Sequence, residues 1–371
     1  MSAPTLPRWA DVVVLPLVNL AVALLISGAV MALIGQNPLE VLTLMAKGAF
    51  GSMRGFSYTL YYTTTFIFTG LAVAVAAHGG LFNIGAEGQA TLGGLGAGIF
   101  ALWLARDLPG FVMLPLIILA SAGFGALWAL VPAYLQAYRG SHIVITTIMF
   151  NFLAYTLLVY LLVNVLKAPG SMAVESAPFE PSAALPNAQE AFAWFGIEWP
   201  SSPLNLSFLL ALAAAGLVYA YLWRTRAGYR LRTVGASAGA AEYAGIPPAH
   251  QILIAMAISG ALAGMVGVNE IAGVNRRLLL DFVAGAGFTG IAVAMMGRNH
   301  PAGILLASLL FGALFQGGAE VGFEMPQFSR EMVVTLQGFV ILLSGAMAYV
   351  LAPTLARVIH ALPGIAKRRP A

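Results

Sequence analysis

The sequence predicts an all-α integral membrane protein, a polytopic bundle of about ten transmembrane helices. Three observations carry this prediction. Of 371 residues, 60% are hydrophobic and 9% are charged, against roughly a quarter charged in a soluble domain. Runs of about 20 residues with almost no charge recur along the chain, each long enough to cross a hydrocarbon core about 30 Å thick as a helix. The basic residues lie beside these runs rather than in one patch, which is a topology signal and not a nucleic-acid footprint.

The spans fall near 12–34, 57–77, 88–104, 111–135, 143–165, 206–223, 251–269, 284–297, 302–317 and 331–352. The eighth and ninth are short and Gly-rich. The first follows a single arginine, Arg8, is longer than a signal-peptide core and ends without a cleavage-type small-residue site, so it is read as a retained span. With the N-terminus inside, the inner loops hold 11 of the 18 basic residues (Arg8, Arg139, Arg224, Arg226, Arg230, Arg232, Arg298, Arg357, Lys367, Arg368 and Arg369) and the outer loops hold 7. Both termini are therefore expected in the cytoplasm. The absence of cysteine removes disulfides, thiolate chemistry and Cys-based metal sites.

The chain reads as one transmembrane domain, 1–371, with two loops longer than turns. The outward loop, 166–204, is rich in Pro, Ser and Glu; its "EAFAWFGIEW" suits either an interfacial element with Trp194 and Trp199 at headgroup depth or a plain spacer. The inward loop, 224–251, reads "RTRAGYRLRTVGASAGAAEYAGIPPAHQ". Its small residues, Ala236 to Ala241, followed by Glu242, Tyr243 and Gly245, would make a low-relief knob with one carboxylate and one ring. Gly235 and Gly245 would let the chain turn in and out, and Pro247-Pro248 would stop any continuation. Such a knob fits a socket on a cytoplasmic partner, or serves as an ordinary amphipathic connector.

Enzyme chemistry finds no foothold. No GxxxxGK[ST] or HExxH occurs, and the only lysines, Lys47, Lys167 and Lys367, cannot build a phosphate-cradling loop. The chain is thus expected to be no enzyme, to have no ATPase site and to bind no cofactor or metal of its own. The five histidines, at 78, 142, 250, 300 and 360, lie mostly at predicted membrane edges, where a solvated or interfacial role is expected.

Polar residues within apolar surroundings need a partner, a watery cavity or a function. Asn151, with Thr146 and Thr147, lies inside the fifth span, where its amide can bond a neighbouring helix or a solute hydroxyl. Asn269 and Glu270 fall at an outer span end and are expected to be solvated. Gly94 with Gly98, and Gly260 with Gly264, are small-residue pairs suited to close helix packing.

Four segments in order resemble one family: "GLFNIGAEGQ" at 80–89, "ITTIMFNF" at 145–152, the inward loop with "ISGALAGMVG" after it, and "GFTGIAVAMMGRNHPAGILLASLLFGAL" at 287–314. Together they resemble the ATP-binding-cassette (ABC) permeases of the ribose and nucleoside uptake type, related to those for branched-chain amino acids, and are most similar to nucleoside-type members. One departure is Ile143, where many relatives carry Glu. The resemblance implies the permease subunit of an importer for nucleosides or related simple sugars in a bacterial inner membrane. It implies as partners a cytoplasmic ABC ATPase, which uses the ATP and magnesium; a second permease chain, a paralogue forming a heterodimer; and an extracytoplasmic solute-binding protein. It also implies a cytoplasmic coupling helix that docks on the ATPase, a role falling on Gly235, Ala236, Ala240, Ala241, Glu242, Tyr243, Ala244 and Gly245. The alternative, an ion-coupled secondary transporter of small polar solutes, would need intramembrane carboxylates, and Glu87 is the only strong candidate.

"HGGLFNIGAEGQATLGGLGAG", 78–98, joins the second and third spans. Gly79 and Gly80 would break one helix, and Asn83 would help start the next, with Glu87 one turn along on the same face. A plain turn explains the glycines but not the polar set. A broken or re-entrant segment lining the translocation route explains both, with Asn83, Glu87 and Asn151 as the pathway candidates.

Overall fold

The computed structural model describes residues 14–33 and 35–325, with Thr335, Gly338, Phe339, Pro353 and residues 355–357. Among the described residues the chain is helical, without a strand, and has three isolated β-bridges in its loops. In order the helices are α1 Leu15–Leu33, α2 Pro38–Phe50, α3 Met53–His78, α4 Ala86–Leu104, α5 Gly110–Arg139, α6 Ile143–Asn164, α7 Ala188–Ala193, α8 Ser207–Arg224, α9 Arg226–Ala236, α10 Ala238–Tyr243, α11 Pro248–Gly264, α12 Ala286–Met296 and α13 Pro301–Glu324. A π-helical segment, Val268–Asn275, follows α11 closely.

Among the described residues six helical stretches are long and apolar enough to cross a membrane: α3, α5, α6, α8, Pro248–Asn275 and α13. This makes a multi-pass membrane protein, but the expected ten spans resolve differently. The stretch at 284–297 yields α12, whose 11 residues rise only about 16 Å. The span expected at 302–317 is longer, running to Glu324. The run before residue 57 contains an additional helix, α2, and α4 begins with Glu87 in its first turn. The tenth span, 331–352, lies outside the described residues apart from Thr335, Gly338 and Phe339, as do Arg8, Lys367, Arg368 and Arg369.

The contacts divide the chain into two compact units, Met1–Ala49 with Leu314–Ala371, and Phe50–Ala313. In the first, Met31, Val41 and Val321 form a small core, and Gly48 sits against Glu320. In the second, α3 is apolar on all sides and buried from Thr63 to Ala76, as a central helix must be. Helices α4, α5 and α11 approach one another through their backbones. Gly93 lies against Gly264, Gly125 against Gly260 and Gly264, and Gly267 against Gly94. Ser121 Oγ donates to the Gly264 carbonyl at 2.6 Å. Without a hydrophobic drive between helices in lipid, such close approach supplies the dispersion contacts that hold them.

The loop 166–204 is not a loose spacer. The Ser176, Phe179 and Leu185 amides donate to the carbonyls of Leu278, Arg276 and Ala272, and Glu175 and Glu190 pair with Arg277 and Arg276 at 2.8 and 3.1 Å. The aromatic pair separates. Trp194 is exposed, whereas Trp199 stacks on Phe192 and donates to Ser57 Oγ at 3.0 Å.

Gly264→Val should lower both the yield of inserted protein and the thermal midpoint in detergent. The added Cβ falls on the Ser121 carbonyl and the α5 backbone, and overpacking of this kind costs about 1–3 kcal/mol. Gly123→Val, on the same α5 but with open space beside it, should leave the midpoint in place.

Candidate translocation and coupling site

Helix α3 ends because Gly80 takes a left-handed conformation, φ +74°, which costs glycine nothing. The Leu81 amide bonds the Ala76 carbonyl and the Gly80 amide bonds that of Ala77, a paired arrangement that closes the last turn. Residues 81–84 then run without helix until α4 starts at Ala86.

Side chains satisfy the backbone that this break frees. Asn83, fully buried, accepts from the Gly85 amide at 2.8 Å and forms a reciprocal amide pair with Gln89 at 2.9 and 3.2 Å. It also donates to Ser259 Oγ at 2.8 Å, and Ser259 donates to the Ala72 carbonyl at 2.6 Å. One chain of bonds therefore links α3, the break, α4 and α11. From α6, Asn151 accepts from the Gly88 amide and donates to the Ile84 carbonyl, both at 2.9 Å. Its amide thus engages the break from the far side.

Glu87 does not share partners with Asn83. Its carboxylate accepts from the Gly285 and Gly287 amides at 2.9 and 2.7 Å, which are the N-cap and second residue of α12. A negative charge on those amides meets both their unpaired hydrogens and the positive end of the helix dipole. Ala284 and Gly285 turn the chain into this position with φ values of +49° and +80°. The starts of α4 and α12 thus converge on one carboxylate, and Gly287 packs on the Glu87 backbone.

The sequence-predicted coupling residues lie on α9, on α10 and in the turn that ends α10. Ser237 caps α10 by accepting from the Ala240 amide, and Gly245, φ +76°, stops it with the same paired closure seen at Gly80. Ala236, Ala240, Glu242, Tyr243, Ala244 and Gly245 are exposed, Tyr243 at 98%, while Ala241 is buried and anchors the short helix. Two expectations need correction. Gly235 is not a turn; it lies inside α9, pressed against the His78 carbonyl and the Gly80 backbone. Pro247 and Pro248 do more than end a helix, since they form the N-cap and first residue of α11, where a missing amide hydrogen is harmless.

Asn269 and Glu270 are not solvated; both are buried in the π-helical segment. The Glu270 carboxylate accepts from the hydroxyls of Tyr61 and Thr65 on α3 and from Asn269. Asn269 in turn accepts from Asn205 at 2.9 Å and Ser207 at 2.7 Å. The helix continues past residue 269, so these residues turn inward instead of reaching water. His78 and His300 pack edge-on or tilted against Trp223, and Tyr219 stacks on the same indole. Tyr61, Thr65 and Trp223 carry no motif that singles them out in sequence.

Asn151→Leu removes both bonds to the break and leaves a buried donor and acceptor behind. The penalty should reach about 1–3 kcal/mol per orphaned group, read as a lowered unfolding midpoint of the purified protein. Asn151→Asp, which keeps an acceptor for Gly88 but loses the donor to Ile84, should fall between Leu and the native residue.

Residues 55–345 match the family described as "Branched-chain amino acid transport system / permease component". The glucose ABC transporter permease protein of Haloferax volcanii is 34% identical over 340 residues, covering 90% of this chain and 87% of that one. A nucleoside ABC transporter permease protein of Lactococcus lactis is 32% identical, covering 82% and 83%. A second nucleoside permease protein from the same organism is also 32% identical, covering 72% and 82%. No solved structure matches the chain significantly.

Proposed function

The chain belongs to the family of permease components of branched-chain amino acid transport systems, and from that premise we propose that it is the permease of an ABC importer for nucleosides or related simple sugars. The named substrates of its relatives, glucose and nucleosides, support this solute class. The observation that carries the reading is a broken helix, satisfied by Asn83 and Asn151 and tied to α12 by Glu87, together with an exposed capped helix, α10. A transport pathway needs the first and a docking partner needs the second.

In this reading all of 1–371 forms one permease domain of about ten spans with both termini in the cytoplasm of a bacterium. Asn83, Glu87 and Asn151 shape the inner part of the route. The chain has no ATPase site and binds no cofactor; ATP and magnesium act on a cytoplasmic ABC ATPase. That ATPase seats α10, with Ala236, Ala240, Glu242 and Tyr243 on the contact face, Ala241 and Gly245 holding its shape, and Gly235 and Ala244 flanking it. A solute-binding protein delivers solute from outside. The two distinct but similar permease proteins of Lactococcus lactis support pairing of this chain with a paralogue. Closure of the ATPase then moves α10, and the spans alternate between outward and inward access.

Vesicles holding the complete complex should accumulate labelled nucleoside only with ATP and the binding protein present; uptake driven by a proton or sodium gradient alone would overturn the proposal. In the same vesicles Gly245→Val, which places a β-branched residue at positive φ, should cut uptake and solute-stimulated ATP hydrolysis by about tenfold. The amount of inserted chain should stay unchanged.

A further inference from the structure

We propose that Gly235 and Gly80 form the joint through which motion of the coupling segment enters the translocation path, so that both are positioning residues for transport. This inference rests on the permease reading above.

The joint is a backbone contact. A Cβ on Gly80 would meet the Cα and carbonyl of Gly235, and one on Gly235 would overlap the His78 carbonyl and the Gly80 amide. Beside it the fully buried Leu231 reaches Gly79, where an added Cβ would come within 2.9 Å of the Leu231 Cδ1. At the Gly80–Gly235 contact itself backbone meets backbone, with no side chain between to absorb a displacement. Close-packed atoms resist compression and pass strain on.

What lies on either side gives the contact its use. On one side, α9 is joined to α10 by a single residue, Ser237, whose hydroxyl caps α10. A push on α10 therefore travels along α9 to Gly235. On the other side, Gly80 begins the stretch that has left the helical ladder, three residues before Asn83 and seven before Glu87. A shift at Gly80 reaches the Asn83–Gln89–Ser259 bonds and then the Glu87 grip on α12. A continuous helix would have carried that push along its own axis. The break diverts it into α4, α11 and α12.

The test uses the complete complex in vesicles and reads solute moved per ATP hydrolysed. Gly235→Ala should lower this ratio at least about fivefold while the ATPase still co-purifies. Leu231→Ala, which loosens the joint instead of crowding it, should lower it as well. Gly216→Ala, with open space around its added methyl, should keep the native ratio. A merely structural role would reduce uptake and hydrolysis together and leave the ratio unchanged, which would overturn the joint. ATP-driven uptake by the unaltered complex reads the permease assignment separately.

A distance measurement covers the case in which Gly235→Ala fails to accumulate. The chain has no native cysteine, so spin labels attach only at introduced pairs. Labels at the exposed positions Phe82 and Tyr229 should keep their separation when ATP binds, whereas labels at Tyr229 and the exposed Leu127 should change theirs. A changing 82–229 distance, or an unchanging 229–127 distance, would contradict the joint.

Discussion

A chain that interrupts a helix inside a packed bundle must satisfy its own freed backbone, because a buried backbone group without a partner is costly. Most of what is distinctive here answers that requirement at 79–88. Gly80 closes α3 on itself, Asn83 and Asn151 take up the amides of Gly85 and Gly88, and Glu87 reaches across to α12. Each answer comes from a different neighbour. The break is consequently the point where α3, α4, α6, α11 and α12 are tied together, and none of them can be displaced far without disturbing it.

The sequence made this place legible for a physical reason. Glycines at 79, 80 and 85 with four polar residues between two apolar runs are costly in lipid, so a structural demand had to lie behind them. The opposite held at Asn269 and Glu270. There the polar pair sat near a predicted span end, and solvation was the cheaper explanation. The π-helical turn that continues the helix and faces the pair toward Tyr61 and Thr65 depends on those distant hydroxyls, which no local pattern reveals. Gly235 was visible as an unusual residue but misread as a turn. Its role depends on a backbone more than 150 residues earlier in the chain. Apolar length and helix length part company at α12, an 11-residue helix whose first turn is bonded by Glu87.

The two buried networks divide the work of holding the unit Phe50–Ala313. One clamps the break through Asn83, Ser259 and Asn151; the other ties the π-helical segment to the first half of α3 and the start of α8 through Glu270, Asn269, Asn205 and Ser207. Between them the glycine contacts of α4, α5 and α11 allow backbones to touch with little side-chain interlock. Polar clamps at two levels with smooth packing between them suit helices that pivot as bodies rather than bend.

Amide hydrogen exchange across 81–88 in the complete transporter tests this account most directly. At rest the Gly85 and Gly88 amides should be protected nearly as well as those of α3, and binding of ATP should raise their exchange while leaving the centre of α3 unchanged. Exchange at the rate of open loop backbone in the resting state, or protection indifferent to ATP, would contradict it.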